Sequence, residues 1–127
     1  MRILVVDDDP MAGELTGAIL EGLGHEVVLA EDGVDALEKL DADEGIGLVF
    51  SDLNMPMLSG IDLFRELRDK GCTAPFILLT GDEPSRPLAE EPRLDACLVK
   101  DDTLEERLPG VIAEVLSRGG PAGPASR

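Results

Sequence analysis

Asp7 with Asp8, Asp52, Thr80 and Lys100 each stand at the end of a short apolar run: Ile3-Leu4-Val5-Val6, Leu48-Val49-Phe50 (which runs into Ser51-Asp52), Pro75-Phe76-Ile77-Leu78-Leu79 and Ala96-Cys97-Leu98-Val99. Three carboxylates brought into one small pocket raise one another's pKa strongly unless a cation sits among them. Hard oxygen donors suit Mg²⁺, which keeps several waters and binds through one or two carboxylates together with phosphate oxygens. Such a pocket draws a phosphorylated donor. Asp52 can then attack as the nucleophile and form an aspartyl phosphate, while the Lys100 ammonium and the Thr80 hydroxyl pair the charge on the transferring group.

Those residues meet only if the runs are parallel strands whose carboxyl ends share one edge. None of the runs alternates polar and apolar residues, which is the pattern of strands buried on both faces. Between them lie helical signals. Pro10 suits a first helical turn, Met11, Leu15, Ala18, Ile19 and Leu23 recur at helical spacing, and Gly24 suits the end. Val27-Val28-Leu29 is followed by a helix from about Gly33, capped by Asp32 and carrying Leu37 and Leu40. Ser59 precedes a helix with the apolar face Ile61, Phe64 and Leu67. Pro84, Pro87 and Pro92 predict an irregular or shortened fourth helix, because each removes a backbone donor. Leu108, Val111, Ile112, Val115 and Leu116 stripe a closing helix that begins either at a Thr103–Glu106 capping box or near Pro109.

Five β/α units predict an α/β fold, a doubly wound five-stranded parallel sheet, and the flavodoxin-like order 2-1-3-4-5 would make the first and third strands neighbours at the switch point. The folded domain is expected over residues 1–118, with a disordered Gly/Pro-rich tail at 119–127. The length of 127 residues suits one domain and leaves no room for a separate substrate domain. A net charge of -16 and the lack of Trp and Tyr argue against nucleic acid and anionic membranes as partners. Cys72 and Cys97 have no metal or disulfide spacing, and no apolar run is long enough to span a bilayer, so a cytoplasmic location is expected.

Taken in order, Leu4-Val5-Val6-Asp7-Asp8-Asp9-Pro10, Ser51-Asp52-Leu53-Asn54-Met55-Pro56 with Gly60, Leu79-Thr80-Gly81, and Lys100 resemble the receiver domain of two-component response regulators. The resemblance covers residues 2 to about 118. It implies that Asp52 is the phosphoacceptor, that Asp8 binds Mg²⁺ directly and Asp7 through water, and that Asn54 offers its backbone carbonyl. It further implies that Thr80 and Lys100 bind the phosphoryl group and that Gly81 leaves room for it. The donor would be a phosphohistidine on a sensor histidine kinase or histidine phosphotransfer protein, and the chain would catalyse its own phosphorylation and hydrolysis. Its state would be read by protein contact, with the downstream target and oligomeric state left open.

The pattern is departed from at three places. Asp101 follows Lys100 where the family usually has a cis proline, Cys97 stands where an aromatic switch residue is usual, and the prolines disturb the fourth helix. These departures keep alive a degenerate receiver acting as a phosphorylation-independent binding module. A metal-dependent aspartyl phosphatase is disfavoured, because it needs a second acid where Asn54 stands. Blander readings exist for the single residues: an acidic N-cap for Asp7 to Asp9, a solvated lysine for Lys100, loop chemistry for Asn54 and Gly60. His25 reads as a surface histidine, Gly13 and Gly17 as close packing or weak helicity, and Met55 and Met57 as gap fillers or partner contacts.

Overall fold

A computed structural model describes residues 1–119 of the chain. Five strands, β1 (Arg2–Val6), β2 (Glu26–Ala30), β3 (Ile46–Asp52), β4 (Phe76–Thr80) and β5 (Ala96–Val99), alternate with five helices. These are α1 (Pro10–Gly22), α2 (Gly33–Ala42), α3 (Gly60–Asp69), α4 (Ser85–Glu90) and α5 (Leu104–Gly119). All pairings are parallel and the order is β2-β1-β3-β4-β5, the doubly wound arrangement expected from the sequence.

The two-residue period of the strands sorts their side chains into two cores. Leu4, Val6, Val49, Phe76, Leu78 and Cys97 face one way, where Ala36 of α2, Ile61, Phe64 and Leu67 of α3, and Leu88 of α4 cover them. Ile3, Val5, Leu48, Phe50, Ile77, Leu79 and Leu98 face the other way, under Leu20 of α1 and Leu104, Leu108, Ile112 and Val115 of α5. Burial on both faces explains why the strands read as unbroken apolar runs.

Helix starts follow the sequence closely. Asp9, Asp32 and Ser59 each accept a backbone N–H from the first turn of α1, α2 and α3. Gly24, at φ +93°, takes the left-handed conformation that ends α1. α4 is a single six-residue helix: Pro84 and Pro87 sit where a missing N–H costs little, and Glu91 leaves helical geometry ahead of Pro92.

Two expectations need correction. The Met11–Leu15 stripe of α1 does not face the sheet; Met11 is 80% and Leu15 66% exposed, while Gly13, Thr16, Gly17 and Leu20 are buried. The reason is proximity: a Cβ on Gly17 would lie 3.2 Å from Val27 Cγ1, so only small residues let α1 come this close. Gly17 therefore marks close packing, whereas a Cβ on Gly13 would make only an ordinary 3.5 Å contact with Asp7 Cβ. α5 starts at Leu104 and carries Pro109 inside it, and the Thr103 hydroxyl donates to Asp101 Oδ1 (2.6 Å) in place of forming a box with Glu106. The helix reaches Gly119, one residue past the expected boundary, and the rest of the expected tail lies outside the described residues.

Candidate functional site

Every predicted site residue sits on the carboxyl edge of the sheet. Asp7 directly follows β1, Asp52 ends β3, Thr80 ends β4 and Lys100 directly follows β5. The register pairs Val6 with Ser51 and Asp52 with Leu79, which sets Asp7, Asp52 and Thr80 at nearly one height. Asp7 and Asp52 are buried, and Asp8 is exposed beside them. One carboxylate oxygen from each of Asp7, Asp8 and Asp52 lies within 4.8 Å of the others.

Lys100 closes this group from the β5 side. Its Nζ donates to Asp7 Oδ2 at 2.9 Å and lies 3.5 Å from Asp52 Oδ1. It reaches both acids although Asp101 follows it and no cis peptide occurs among the described residues. Asp7 Oδ1 also accepts the Asp9 N–H at 2.9 Å, which turns the chain into α1 and fixes the Asp7 carboxylate.

Burial holds the Asp52 carboxyl above the usual aspartate range; Lys100 opposes this, and Asp7 and Asp8 add to it. The Lys100 ammonium loses stability from burial, but the Asp7 hydrogen bond and the charge of Asp52 more than offset this and raise its pKa. Three carboxylates thus face one ammonium. Clustered, hard oxygen donors with excess negative charge fit a divalent cation such as Mg²⁺.

Thr80 is fully buried, and its Oγ1 accepts the Asp82 N–H at 3.1 Å, which leaves the hydroxyl proton to donate elsewhere. Asn54 is exposed on the loop after β3. In that loop the Leu58 N–H bonds to the Pro56 carbonyl at 2.7 Å across Met57, whose φ of 69° marks a tight γ-turn. Met55 fills the core, whereas Met57 is 82% exposed. A Cβ on Gly60 would lie 2.5 Å from both the Asp52 carbonyl oxygen and Leu78 Cδ1, so Gly60 is required by the path of the loop rather than by its flexibility. A Cβ on Gly81 would meet open space, which agrees with room for a ligand there.

Two features had no local signal in the sequence. A cleft of about 430 Å³ opens between Ile61 of α3 and Pro87 of α4, floored by Thr80 and bordered by Asn54 and Arg86. Behind α4, the buried Glu91 carboxylate accepts from Arg65 Nε (3.0 Å) and Arg93 Nε (2.8 Å), joining α3 to the end of α4. Arg65 lies twenty-six positions from Glu91, so no short motif announces that link. Of the remaining residues singled out, Cys97 is a buried strand thiol pushed up to about 11 by burial, and Cys72 is half-buried. His25 Nδ1 lies 3.4 Å from the Met1 amine, away from the carboxyl edge.

A parallel sheet of this order, with acids and a lysine gathered at its switch point, defines an α/β domain built to handle phosphate. The chain belongs to the response regulator receiver domain family, whose profile matches residues 3–108. It is 40% identical over 111 residues to the sensor histidine kinase RcsC of Escherichia coli K12, covering 83% of this chain but 11% of that kinase. It is 41% identical over 110 residues to the response regulator MprA of Mycobacterium avium, covering 85% of this chain and 48% of that protein. The chain therefore spans half or less of these curated relatives. Among solved structures, the response regulator TrrA of Thermotoga maritima, in complex with Mg(2+)-BeF, superposes with a TM-score of 0.80 at 36% identity, covering 91% of this chain and 98% of that one. A receiver domain protein from Clostridium thermocellum gives 0.81 at 30%, covering 92% and 94%. Receiver domains are regulatory phosphoacceptor switches of two-component systems rather than metabolic catalysts. No helix among the described residues is long and apolar enough to cross a membrane.

Proposed function

We propose that Asp52 accepts a phosphoryl group from a phosphohistidine on a sensor histidine kinase or histidine phosphotransfer protein, and that the chain signals by protein contact in the cytoplasm. The observation that carries this reading is the Lys100 ammonium held against Asp7 and 3.5 Å from Asp52, at the edge where Thr80 also ends its strand. In the transfer, an Asp52 carboxylate oxygen attacks phosphorus, the P–N bond breaks, and its electron pair returns to the departing imidazole. Lys100 has donors to spare for the phosphoryl oxygens, Thr80 offers its O–H, and Gly81 leaves space for the group.

Asp7, Asp8, Asp52 and the Asn54 carbonyl are the groups we assign to Mg²⁺. When bound, the ion supplies positive charge that lets the three carboxylates coexist and attracts the phosphoryl oxygens. Asn54 and Asp82 flank the approach of a hydrolytic water and are suited to limiting the lifetime of the phosphoryl group. Of the departures that favoured a phosphorylation-independent binding module, the one after Lys100 weighs less, since the lysine meets both acids despite Asp101, while Cys97 still stands in place of an aromatic.

Intact mass after incubation with acetyl phosphate tests the proposal. One phosphoryl adduct should form with Mg²⁺, be lost with chelator and be absent from Asp52→Asn. An adduct of equal yield in Asp52→Asn would refute the assignment.

A further inference from the structure

We propose that Arg86 is the residue that senses the phosphoryl group: a phosphoryl on Asp52 draws the Arg86 guanidinium across the cleft above Thr80 and swings the start of α4 toward α3. The inference rests on Asp52 being the phosphoacceptor.

Four observations converge on it. Arg86 borders the same cleft as Thr80, which ends the strand beside β3, and Asn54, two residues past Asp52, and it is the one cation lining that cleft. The other charged liners are Asp82, Glu83 and Glu90, which repel a phosphoryl group. Among the described residues Arg86 enters no ion pair, whereas every other arginine and lysine from Arg2 to Lys100 holds a carboxylate. Its guanidinium is therefore available to a new anion. Phosphorylation adds about 1.5 to 2 negative charges and three acceptor oxygens, and the arginine fork binds such oxygens in pairs.

The ends of α4 are held differently. At its start no side chain caps the helix, and the turn rests on two long backbone bonds, from the Arg86 N–H to the Glu83 carbonyl (3.3 Å) and from the Leu88 N–H to the Pro84 carbonyl (3.4 Å). At its far end Glu91 is 5% exposed and gripped by Arg65 and Arg93, and Arg65 also donates to the Glu90 carbonyl at 3.4 Å. A six-residue helix fixed at one end and loose at the other pivots when its loose end is pulled. The cleft supplies the space for that motion. A ring-swing relay is unavailable at Cys97, and all three phenylalanines are fully buried in the core, so the helix itself carries the signal.

The test is a set of ¹H–¹⁵N spectra of the labelled full chain before and after phosphorylation with acetyl phosphate and Mg²⁺, with occupancy read by intact mass on the same samples. In the wild type, the amides of Ser85–Glu90 and the Arg86 Nε–Hε signal should shift together with Gly81 and Lys100. In Arg86→Gln, the Gly81 and Lys100 shifts should remain while those of α4 fall at least twofold. Arg107→Gln, which removes an equal charge from α5, should keep the α4 shifts. Unchanged α4 shifts in Arg86→Gln would overturn the proposal, as would their equal loss in Arg107→Gln. Failure of Arg86→Gln to take up phosphoryl would also overturn it, because Arg86 would then serve transfer. A wild type that forms no adduct fails earlier, on the phosphoacceptor assignment itself.

Discussion

Asp7, Asp52, Thr80 and Lys100 were legible because a parallel sheet puts the residues behind its strands on one edge, so position in the chain already implied position in space. Their hydrogen bonds were not legible. Nothing local says that Lys100 reaches across to Asp7 while Asp9 turns its N–H onto the same carboxylate. Gly60 shows the same limit: as a residue ahead of a helix it reads as loop chemistry, yet its hydrogen stands where a methyl would strike the Asp52 carbonyl and Leu78. Gly60→Ala is expected to cost about 1–3 kcal/mol, the usual range for overpacking, read as a lower denaturant midpoint at unchanged slope. A midpoint within error of the wild type would mean that the loop yields without strain.

At the scale of elements, the strand runs and the caps at Asp32 and Ser59 were read correctly since each depends on neighbours a few positions away. The buried face of α1 was not, because hydrophobic periodicity favours Met11 and Leu15, whereas the face turned to the sheet carries Gly13, Thr16, Gly17 and Leu20, with Gly17 tight against Val27 and Leu29 of β2. The anchoring of α4 likewise depends on Arg65, twenty-six positions from Glu91. Hydrogen bonds from Arg93 lead in lowering the Glu91 carboxyl to about 2; burial opposes them, and Arg65 adds to the lowering. Because the folded value lies below the unfolded one, the stabilisation is complete above about pH 4.5 and is lost as pH falls toward 2. Arg93 is 61% and Arg65 43% exposed, so water screens the pairs and Glu91→Gln should cost about 1–2 kcal/mol at neutral pH. Urea titrations should show the gap between Glu91→Gln and wild type closing between pH 4.5 and 2. A gap that stays constant with pH would show that the carboxylate charge contributes nothing.

Over the whole molecule, two apolar cores fix a rigid sheet, and the chemistry is left to one edge of it. The net charge of -16 makes that edge hard to approach for an anionic donor unless local cations offset it, which places the burden on Lys100 and on the divalent ion proposed above. In the path proposed above, the signal then passes to a short α4 that is clamped at Glu91 by Arg65 and Arg93. All of this turns on where the phosphoryl group is attached. Borohydride reduces an acyl phosphate to the alcohol, so a chain phosphorylated by acetyl phosphate with Mg²⁺, reduced and digested, should carry homoserine at position 52 alone. Homoserine at Asp7, Asp8 or another acid, with position 52 still aspartate, would contradict the account.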